Sequence, residues 1–137
     1  MKRVLILCTG NSCRSQMAEG LFRHLSNGVY DSYSAGVSPS TVNPLAIRAM
    51  DEISIDISSN TSDSVDLYTG QDFDLVITVC DNAKENCPIF PGAKDMRHWP
   101  FDDPADATGS NEEQMPVFRR VRDEIQAKIT EFLQKNA

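Results

Sequence analysis

The segment LILCTGNSCRSQMAEG, residues 5–20, joins a short aliphatic run to a stretch with helical periodicity. The aliphatic run ends at Cys8, and Arg14 and Ser15 follow six and seven residues later. Residues 3–7 suit a strand buried on both faces, and the apolar residues after Arg14 recur every three or four positions. The segment therefore predicts a strand, a tight loop and a helix, the unit from which parallel sheets in α/β proteins are built.

The rest of the chain continues this alternation of strands and helices. Further strands are predicted at residues 29–34, at 74–80 and, as a short edge strand, at 96–101. One further helix is predicted to start at Asn43-Pro44, and a long C-terminal helix from Val117 onward. We expect a single α/β domain over residues 1–137, with three layers and a four-stranded parallel sheet flanked by helices.

Charge and hydropathy argue against several classes of partner. The chain of 137 residues carries a net charge of −7, which disfavours binding to nucleic acid or to an anionic membrane. The apolar run VLIL near the N-terminus has only four residues, too few for a signal peptide, and no stretch reaches the length of a membrane span. We expect a cytoplasmic, monomeric protein whose four cysteines are reduced thiols rather than structural bridges.

The loop that follows Cys8 has the composition of an anion-binding site. Gly10 and Asn11 tolerate left-handed backbone angles, so the loop can direct successive backbone N–H groups into one concavity. The first N–H groups of the next helix add to this positive region, and Arg14 can bind two oxygens of an anion. The pattern predicts an oxyanion site at Thr9, Gly10, Asn11, Ser12, Cys13, Arg14 and Ser15.

The same loop provides a nucleophile. A thiol beside an arginine and a helix N-terminus is expected to exist largely as the thiolate, and Ser15 can donate a hydrogen bond to its sulfur. Cys8 taken alone would more simply be a small core residue at the end of a strand. The whole pattern, Cys-x5-Arg-Ser between a strand and a helix, indicates a nucleophile, an anion site and a charge clamp within eight residues.

The sequence resembles a known family. CTGNSCRSQMAEG at 8–20 is similar to the active-site loop of the low-molecular-weight protein tyrosine phosphatase fold, and more closely to that of the thioredoxin-coupled arsenate reductases built on this fold. The likeness continues through YSAG at 33–36, VNP at 42–44, IDIS at 55–58, TSD at 61–63, CP at 87–88, HWPFDDPA at 98–105 and RVRDEI at 120–125. The resemblance implies a low-molecular-weight phosphatase-like fold and an enzyme of arsenical resistance.

The resemblance also implies roles for residues outside the loop. Asp103 matches the general acid of the family, and its neighbour Asp102 is the less suitable carboxylate. Cys80 and Cys87 match two further thiols of the reductases. They would move the oxidation away from Cys8, first as a Cys8–Cys80 disulfide and then as a Cys80–Cys87 disulfide. Thioredoxin or another dithiol reductant would reduce the latter, and arsenate and related oxyanions are the implied substrates.

One cofactor expectation also follows from the resemblance. Some reductases of this type bind potassium near the anion loop, and the resembling positions here are Asn11, Glu19, Ser34 and Asp63. Their oxygen atoms suit a hard cation, although ordinary polar contacts would explain Glu19 and Asp63 equally well. No tightly bound cofactor is expected.

The sequence leaves two alternative functions and two regions without an assigned role. A phosphatase acting on phosphomonoesters would use the same loop, with residual phosphatase activity possible even in a reductase. A thiol protein that binds arsenite or metal without catalysis is the non-enzymatic alternative. Cys13 is assigned no required redox step, and residues 105–116 form an acidic segment of flexible composition, longer than is typical of the resembling proteins.

Overall fold

A computed structural model describes residues 1–80 and 89–135 of the chain. Its strands are β1 (Lys2–Cys8), β2 (Tyr30–Gly36), β3 (Phe73–Thr78) and β4 (Ala93–His98). Its helices are α1 (Arg14–Leu25), α2 (Pro44–Asp51) and α3 (Asn111–Lys135), with 3₁₀ helices at Val65–Tyr68 and Pro104–Asp106. The strands pair in the order β2-β1-β3-β4 and all the pairs are parallel, which confirms the predicted four-stranded parallel sheet.

The centre of the sheet is buried on both faces. Side chains alternate across a strand, so Val4 and Ile6 of β1 join a large core cluster with the three α-helices. Leu5 and Leu7 point to the opposite face and pack in a second cluster that includes Tyr68 of the first 3₁₀ helix. Because both faces are covered, β1 is a continuous apolar run rather than an alternation of apolar and polar residues.

The start of α2 agrees with its sequence signal. The Asn43 side chain accepts a hydrogen bond from the backbone N–H of Leu45 at 2.8 Å, and Pro44 occupies the first helical position, where its missing N–H costs no intrahelical bond. This start matters for the site because α2 follows directly on the segment that packs against the anion loop.

Helix α3 begins earlier than its apolar pattern predicts. Ser110 and Glu113 form a reciprocal cap: the N–H of Ser110 donates to the Glu113 carboxylate and the N–H of Glu113 donates to the Ser110 hydroxyl, each at 3.2 Å. The expectation of a flexible segment at 105–116 is therefore wrong from Asn111 onward, where the chain is helical. No helix of the described residues, α3 included, is long and apolar enough to cross a membrane.

Strand β4 is displaced toward the N-terminus relative to the predicted strand at 96–101. It begins at Ala93 and ends at His98, because Pro100 has no N–H with which to continue the pairing. The N–H of Trp99 nevertheless donates to the carbonyl of Thr78, the last residue of β3, at 2.8 Å, and the N–H of Phe101 donates to the carbonyl of Val79 at 3.3 Å. The exposed strand is charged rather than apolar, which protects a sheet edge from pairing with other chains.

The carboxyl edge of the sheet brings distant segments together. Cys8, the last residue of β1, is in register with Gly36, the last residue of β2. On the other side, the N–H of Val79 donates to the carbonyl of Leu7 at 2.9 Å, so the segment that ends in Cys80 runs alongside β1. Ligands of open parallel sheets bind at this edge.

Candidate active site

The loop after β1 curls around the sulfur of Cys8. Asn11 has a φ of +46°, a left-handed conformation that asparagine tolerates better than most residues, and its N–H donates to Cys8 Sγ at 3.2 Å. Gly10, the other residue predicted to allow such angles, does not have a positive φ. Cys8 is a free, buried thiol, so the predicted nucleophile lies at the floor of the loop.

Neighbouring segments hold this loop from outside. The carbonyl oxygens of Thr9, Gly10 and Ser12 accept hydrogen bonds from backbone N–H groups in residues 38–43, at 2.9–3.2 Å. The Ser62 hydroxyl adds a second bond to the Gly10 carbonyl at 3.1 Å. The loop carbonyls are thus engaged by the surrounding chain, as an anion site lined by N–H groups requires.

Gly36 allows β2 to approach the loop this closely. A Cβ atom at this position would lie 2.5 Å from the Thr9 carbonyl oxygen and 2.9 Å from the Asn11 nitrogen, both backbone atoms that have little freedom to move. Only glycine fits such a contact. Gly36 is not among the site residues predicted from the sequence, although it belongs to the YSAG motif at 33–36.

The Ser15 hydroxyl lies between the sulfur and the Asn11 amide. Its oxygen is 2.9 Å from Cys8 Sγ and donates to Asn11 Oδ1 at 2.8 Å. A hydroxyl has one proton, so Ser15 accepts from the Cys8 thiol in this arrangement and would turn its proton to the sulfur of a thiolate. Gln16 Nε2 also donates to Asn11 Oδ1, at 3.0 Å, so that oxygen keeps a donor when Ser15 turns. Gln16, like Gly36, is not among the site residues predicted from the sequence.

Arg14 connects the anion loop with the acid loop, residues 101–104. Its buried guanidinium donates to the Phe101 carbonyl at 3.2 Å and lies 3.5 Å from the Asp103 carboxylate. The side chain of Asp102 pairs instead with Arg120 of α3, at 3.1 Å. Of the two adjacent carboxylates, Asp103 is therefore the one directed at Arg14, the arginine predicted to bind the oxyanion.

The cysteines have different states and surroundings. Cys8 and Cys13 are free thiols, as expected, whereas Cys80, which is fully buried in the same core cluster, is disulfide-bonded, so the expectation of four reduced thiols is wrong for Cys80. Cys87 lies outside the described residues. Burial raises the pKa of Cys13 to about 12, against an opposing hydrogen bond to Ser12, so this thiol stays protonated at neutral pH and is a poor nucleophile.

The whole chain matches one protein family. Residues 3–136 match the family described as low molecular weight phosphotyrosine protein phosphatase. The chain belongs to this family. An arsenate reductase of Halalkalibacterium halodurans is 53% identical over 131 residues, which cover 96% of this chain and 94% of the relative. The arsenate reductase of Bacillus subtilis is 47% identical over the same shares of the two chains.

Solved structures agree with this assignment. An arsenate reductase in the phosphate-binding state superposes with a TM-score of 0.84 at 34% identity, and the match covers all of both chains. The tyrosine phosphatase Wzb of Escherichia coli K30, at 20% identity and a TM-score of 0.76, shares the fold. The resemblance to the low-molecular-weight phosphatase family and the fold class predicted from it are both confirmed.

Of the four oxygen-bearing residues that the family resemblance suggests for potassium, three are linked by hydrogen bonds and Asp63 lies near Glu19. The Ser34 hydroxyl donates to the Glu19 carboxylate at 2.7 Å, and the Asn11 amide donates to the Ser34 carbonyl at 3.4 Å. Burial, and more weakly the charge of nearby Asp63, raise the pKa of Glu19, while Arg23 pairs with it at 3.0 Å. The carboxylate, hydroxyl and carbonyl oxygens of Glu19 and Ser34 have the chemistry that a hard monovalent cation prefers, whereas Asn11 directs its NH2 group to Ser34 and its Oδ1 to Ser15 and Gln16.

Proposed function

We propose that this chain reduces arsenate to arsenite with Cys8 as the nucleophile. Arsenate reductases with about half of their residues identical to this chain over nearly its full length support the proposal. The observation that carries it is the second cysteine, Cys80, at the end of the segment paired beside β1. Hydrolysis of a phosphomonoester needs one thiol, whereas reduction needs thiols that together supply two electrons.

In the first step, the Cys8 thiolate attacks the arsenic atom and forms a sulfur–arsenic bond. The N–H groups of residues 9–15 and the Arg14 guanidinium bind the oxyanion, and the Ser15 hydroxyl stabilises the thiolate. An oxygen of arsenate leaves as water, and Asp103, directed at Arg14 in this structure, donates the proton.

In the second step, the Cys80 thiolate attacks Cys8 Sγ and forms a disulfide. The electron pair of the sulfur–arsenic bond stays with arsenic, which leaves as arsenite, and the two sulfurs are oxidised by two electrons in total. Cys87 then attacks Cys80 and releases Cys8 as a thiolate. Thioredoxin, a dithiol reductant, reduces the resulting Cys80–Cys87 disulfide and completes the cycle.

The deciding experiment compares the wild type with Cys87→Ser in an assay that contains arsenate, thioredoxin, thioredoxin reductase and NADPH. We expect continuous NADPH oxidation with the wild type and at most one equivalent of arsenite per enzyme with the variant, because its disulfide cannot leave the active site. Many turnovers by Cys87→Ser would contradict the relay, and a parallel assay in which glutaredoxin, glutathione and glutathione reductase replace thioredoxin and its reductase identifies the reductant.

A phosphatase is the main alternative, because phosphate and arsenate have nearly the same shape and the loop binds either. Efficient hydrolysis of p-nitrophenyl phosphate without arsenate-dependent NADPH oxidation would establish it in place of the reductase. A thiol protein that only binds metal has less support, since the described residues contain no group of three or more His, Cys, Asp and Glu side chains that could hold a metal ion.

We also propose that potassium binds at Asn11, Glu19, Ser34 and Asp63 and steadies the anion loop. The proposal rests on the buried oxygen atoms around Glu19. Ser34 donates to Glu19, and Asn11, which donates to the Ser34 carbonyl, also accepts a hydrogen bond from Ser15. Potassium chloride should raise the unfolding temperature of the wild type more than equimolar tetramethylammonium chloride does. Glu19→Gln should lose that difference, and an equal response in both proteins would exclude the site.

A further inference from the structure

The acid loop is held from two sides by two arginines. From the inside, Arg14 donates to the Phe101 carbonyl at 3.2 Å and lies 3.5 Å from the Asp103 carboxylate. From the outside, Arg120 of α3 pairs with Asp102 at 3.1 Å. The adjacent side chains of Asp103 and Asp102 thus have different partners: Asp103 faces Arg14 in the site, and Asp102 faces Arg120 on α3.

The inner contact is the one that substrate binding disturbs. Arg14 has a single guanidinium, and binding two oxygens of a tetrahedral anion uses the same donors that now face Phe101 and Asp103. When these donors turn to the anion, the outer pair still holds the Asp102 side of the loop, while Phe101 stays packed against the core and bonded through its N–H to the Val79 carbonyl. The Asp103 carboxylate then keeps its own local contact, a hydrogen bond from the Ala105 N–H at 3.0 Å.

Arg120 also pairs with a second carboxylate, which belongs to α3 itself. Glu124, one turn further along α3, pairs with the other terminal nitrogen of Arg120 at 2.9 Å. About half of each side chain in this pair, and more of Asp102, is exposed, so neither pair contributes much to the stability of the whole fold. Their effect is therefore expected on the loop rather than on global unfolding.

We propose that Arg120 is a positioning residue for the reaction: through Asp102, it keeps Asp103 over the anion site while Arg14 binds the substrate. This inference rests on the proposed function, in which Asp103 is the general acid. It assigns to α3 a part in catalysis although α3 contributes no group to the anion loop.

The first test measures the loop without turnover. Hydrogen–deuterium exchange of residues 101–106 is followed in the presence of saturating inorganic phosphate for the wild type, Arg120→Ala and Arg119→Ala. Arg119 is the matched control, because it is the neighbouring arginine of α3 but pairs with Glu52, at 2.8 Å, on the α2 side. We expect faster exchange in Arg120→Ala only. Unchanged exchange in that variant, or equal acceleration in both, would overturn the inference.

The second test asks whether Arg120 acts through Asp103. Arg120→Ala should lower kcat for arsenate about fivefold with little change in KM, the size expected for loss of an exposed charge pair. Asp102→Asn should reproduce this loss, and Arg120→Lys, which keeps the charge, should recover most of it. In an Asp103→Asn background, Arg120→Ala should cause no further loss.

Different results would overturn the positioning role of Arg120 and the proposed reductase function. A fivefold loss that persists in the Asp103→Asn background would show that Arg120 does not act through the acid, and would overturn the inference while the reductase activity stands. A wild type without arsenate-dependent turnover would overturn the proposed function, and the exchange experiment would then decide separately whether Arg120 positions the loop.

Discussion

Cys8 and Cys13 belong to the same loop, yet their surroundings give them different chemistry. Cys8 receives a backbone N–H from Asn11 and lies beside the Ser15 hydroxyl, so hydrogen bonds are available to a thiolate. Cys13 is buried without comparable donors, and its pKa is raised to about 12. The Cys13 thiol is therefore protonated and unreactive as a nucleophile at neutral pH, which agrees with a relay that does not use it.

Replacing Cys13 should accordingly leave the relay intact. Cys13→Ser is expected to turn over arsenate repeatedly in the thioredoxin-coupled assay, whereas Cys8→Ser should produce no arsenite. Mass spectrometry after brief alkylation of the reduced wild type at pH 7 should find Cys8 modified well before Cys13. Single-turnover behaviour of Cys13→Ser would instead place Cys13 in the electron path.

Gly36 is expected to control the shape of the anion loop. Gly36→Ala would place a methyl group 2.5 Å from the Thr9 carbonyl, so the loop must move by a sizeable fraction of an ångström. Misplacement on this scale can cost on the order of 100-fold in rate, and we expect a loss of kcat/KM of that order. Steady-state kinetics check this.

Gly28→Ala is the control for this experiment. Gly28 has a φ of +84°, so alanine is strained there, but no atom lies within 4 Å of the added Cβ. It should lower the free energy of unfolding by ~1 kcal/mol while kcat/KM stays close to the wild-type value. Similar kinetics for the two variants would show that Gly36 matters for folding alone.

Helices α2 and α3 are joined by a charge cluster centred on Glu52. Its carboxylate accepts hydrogen bonds from Arg119 at 2.8 Å and from Arg122 at 3.0 Å, and Arg122 also donates to the Ala49 carbonyl at 2.8 Å. The hydrogen bonds from Arg119 are the main cause that lowers the pKa of Glu52 to about 2. Through these contacts α2, and with it the segment that packs against the anion loop, is held on α3.

The lowered pKa of Glu52 predicts the direction of a pH effect on stability. Because the folded protein binds this proton more weakly than the unfolded chain, the stabilisation is present above the ordinary pKa of 4.5 and is lost as the pH falls toward 2. Urea unfolding at pH 7 and at pH 3 should show a smaller acid-induced drop in midpoint for Glu52→Gln than for the wild type. Glu131→Gln, which loses only an exposed pair within α3, should behave almost like the wild type.

The fold as a whole should be stabilised by its ligand. An anion that binds only the folded state adds about 1.4 kcal/mol to the free energy of unfolding at ten times its dissociation constant. Phosphate should therefore raise the unfolding temperature of the wild type and of Arg119→Ala, but not that of Arg14→Gln. An undiminished shift in Arg14→Gln would mean that phosphate binds elsewhere on the molecule.

The parts of the site that are local in sequence could be predicted from the sequence. Cys8, Arg14 and Ser15 lie within eight residues, between a strand and a helix whose own patterns are strong, so their juxtaposition follows from local geometry. The start of α2 at Asn43-Pro44 was predictable for the same reason, because a helix cap is a contact between near neighbours in the chain. Edge strand β4 was placed imprecisely, since its exposed, charged residues have no apolar pattern.

The sequence by itself determined the alternating α/β order and predicted Cys8 as a nucleophile in an anion-binding loop, because hydrophobic periodicity and the Cys-x5-Arg-Ser spacing are properties of contiguous residues. The family resemblance favoured Asp103 as the acid, but only the tertiary structure showed that Asp103 rather than Asp102 faces Arg14, and that Gly36, Ser62 and Arg120 contact the two loops of the site. Their partners lie between 18 and 52 residues away in the chain or on a neighbouring strand. Such contacts arise from sheet register and helix packing, which no local pattern encodes.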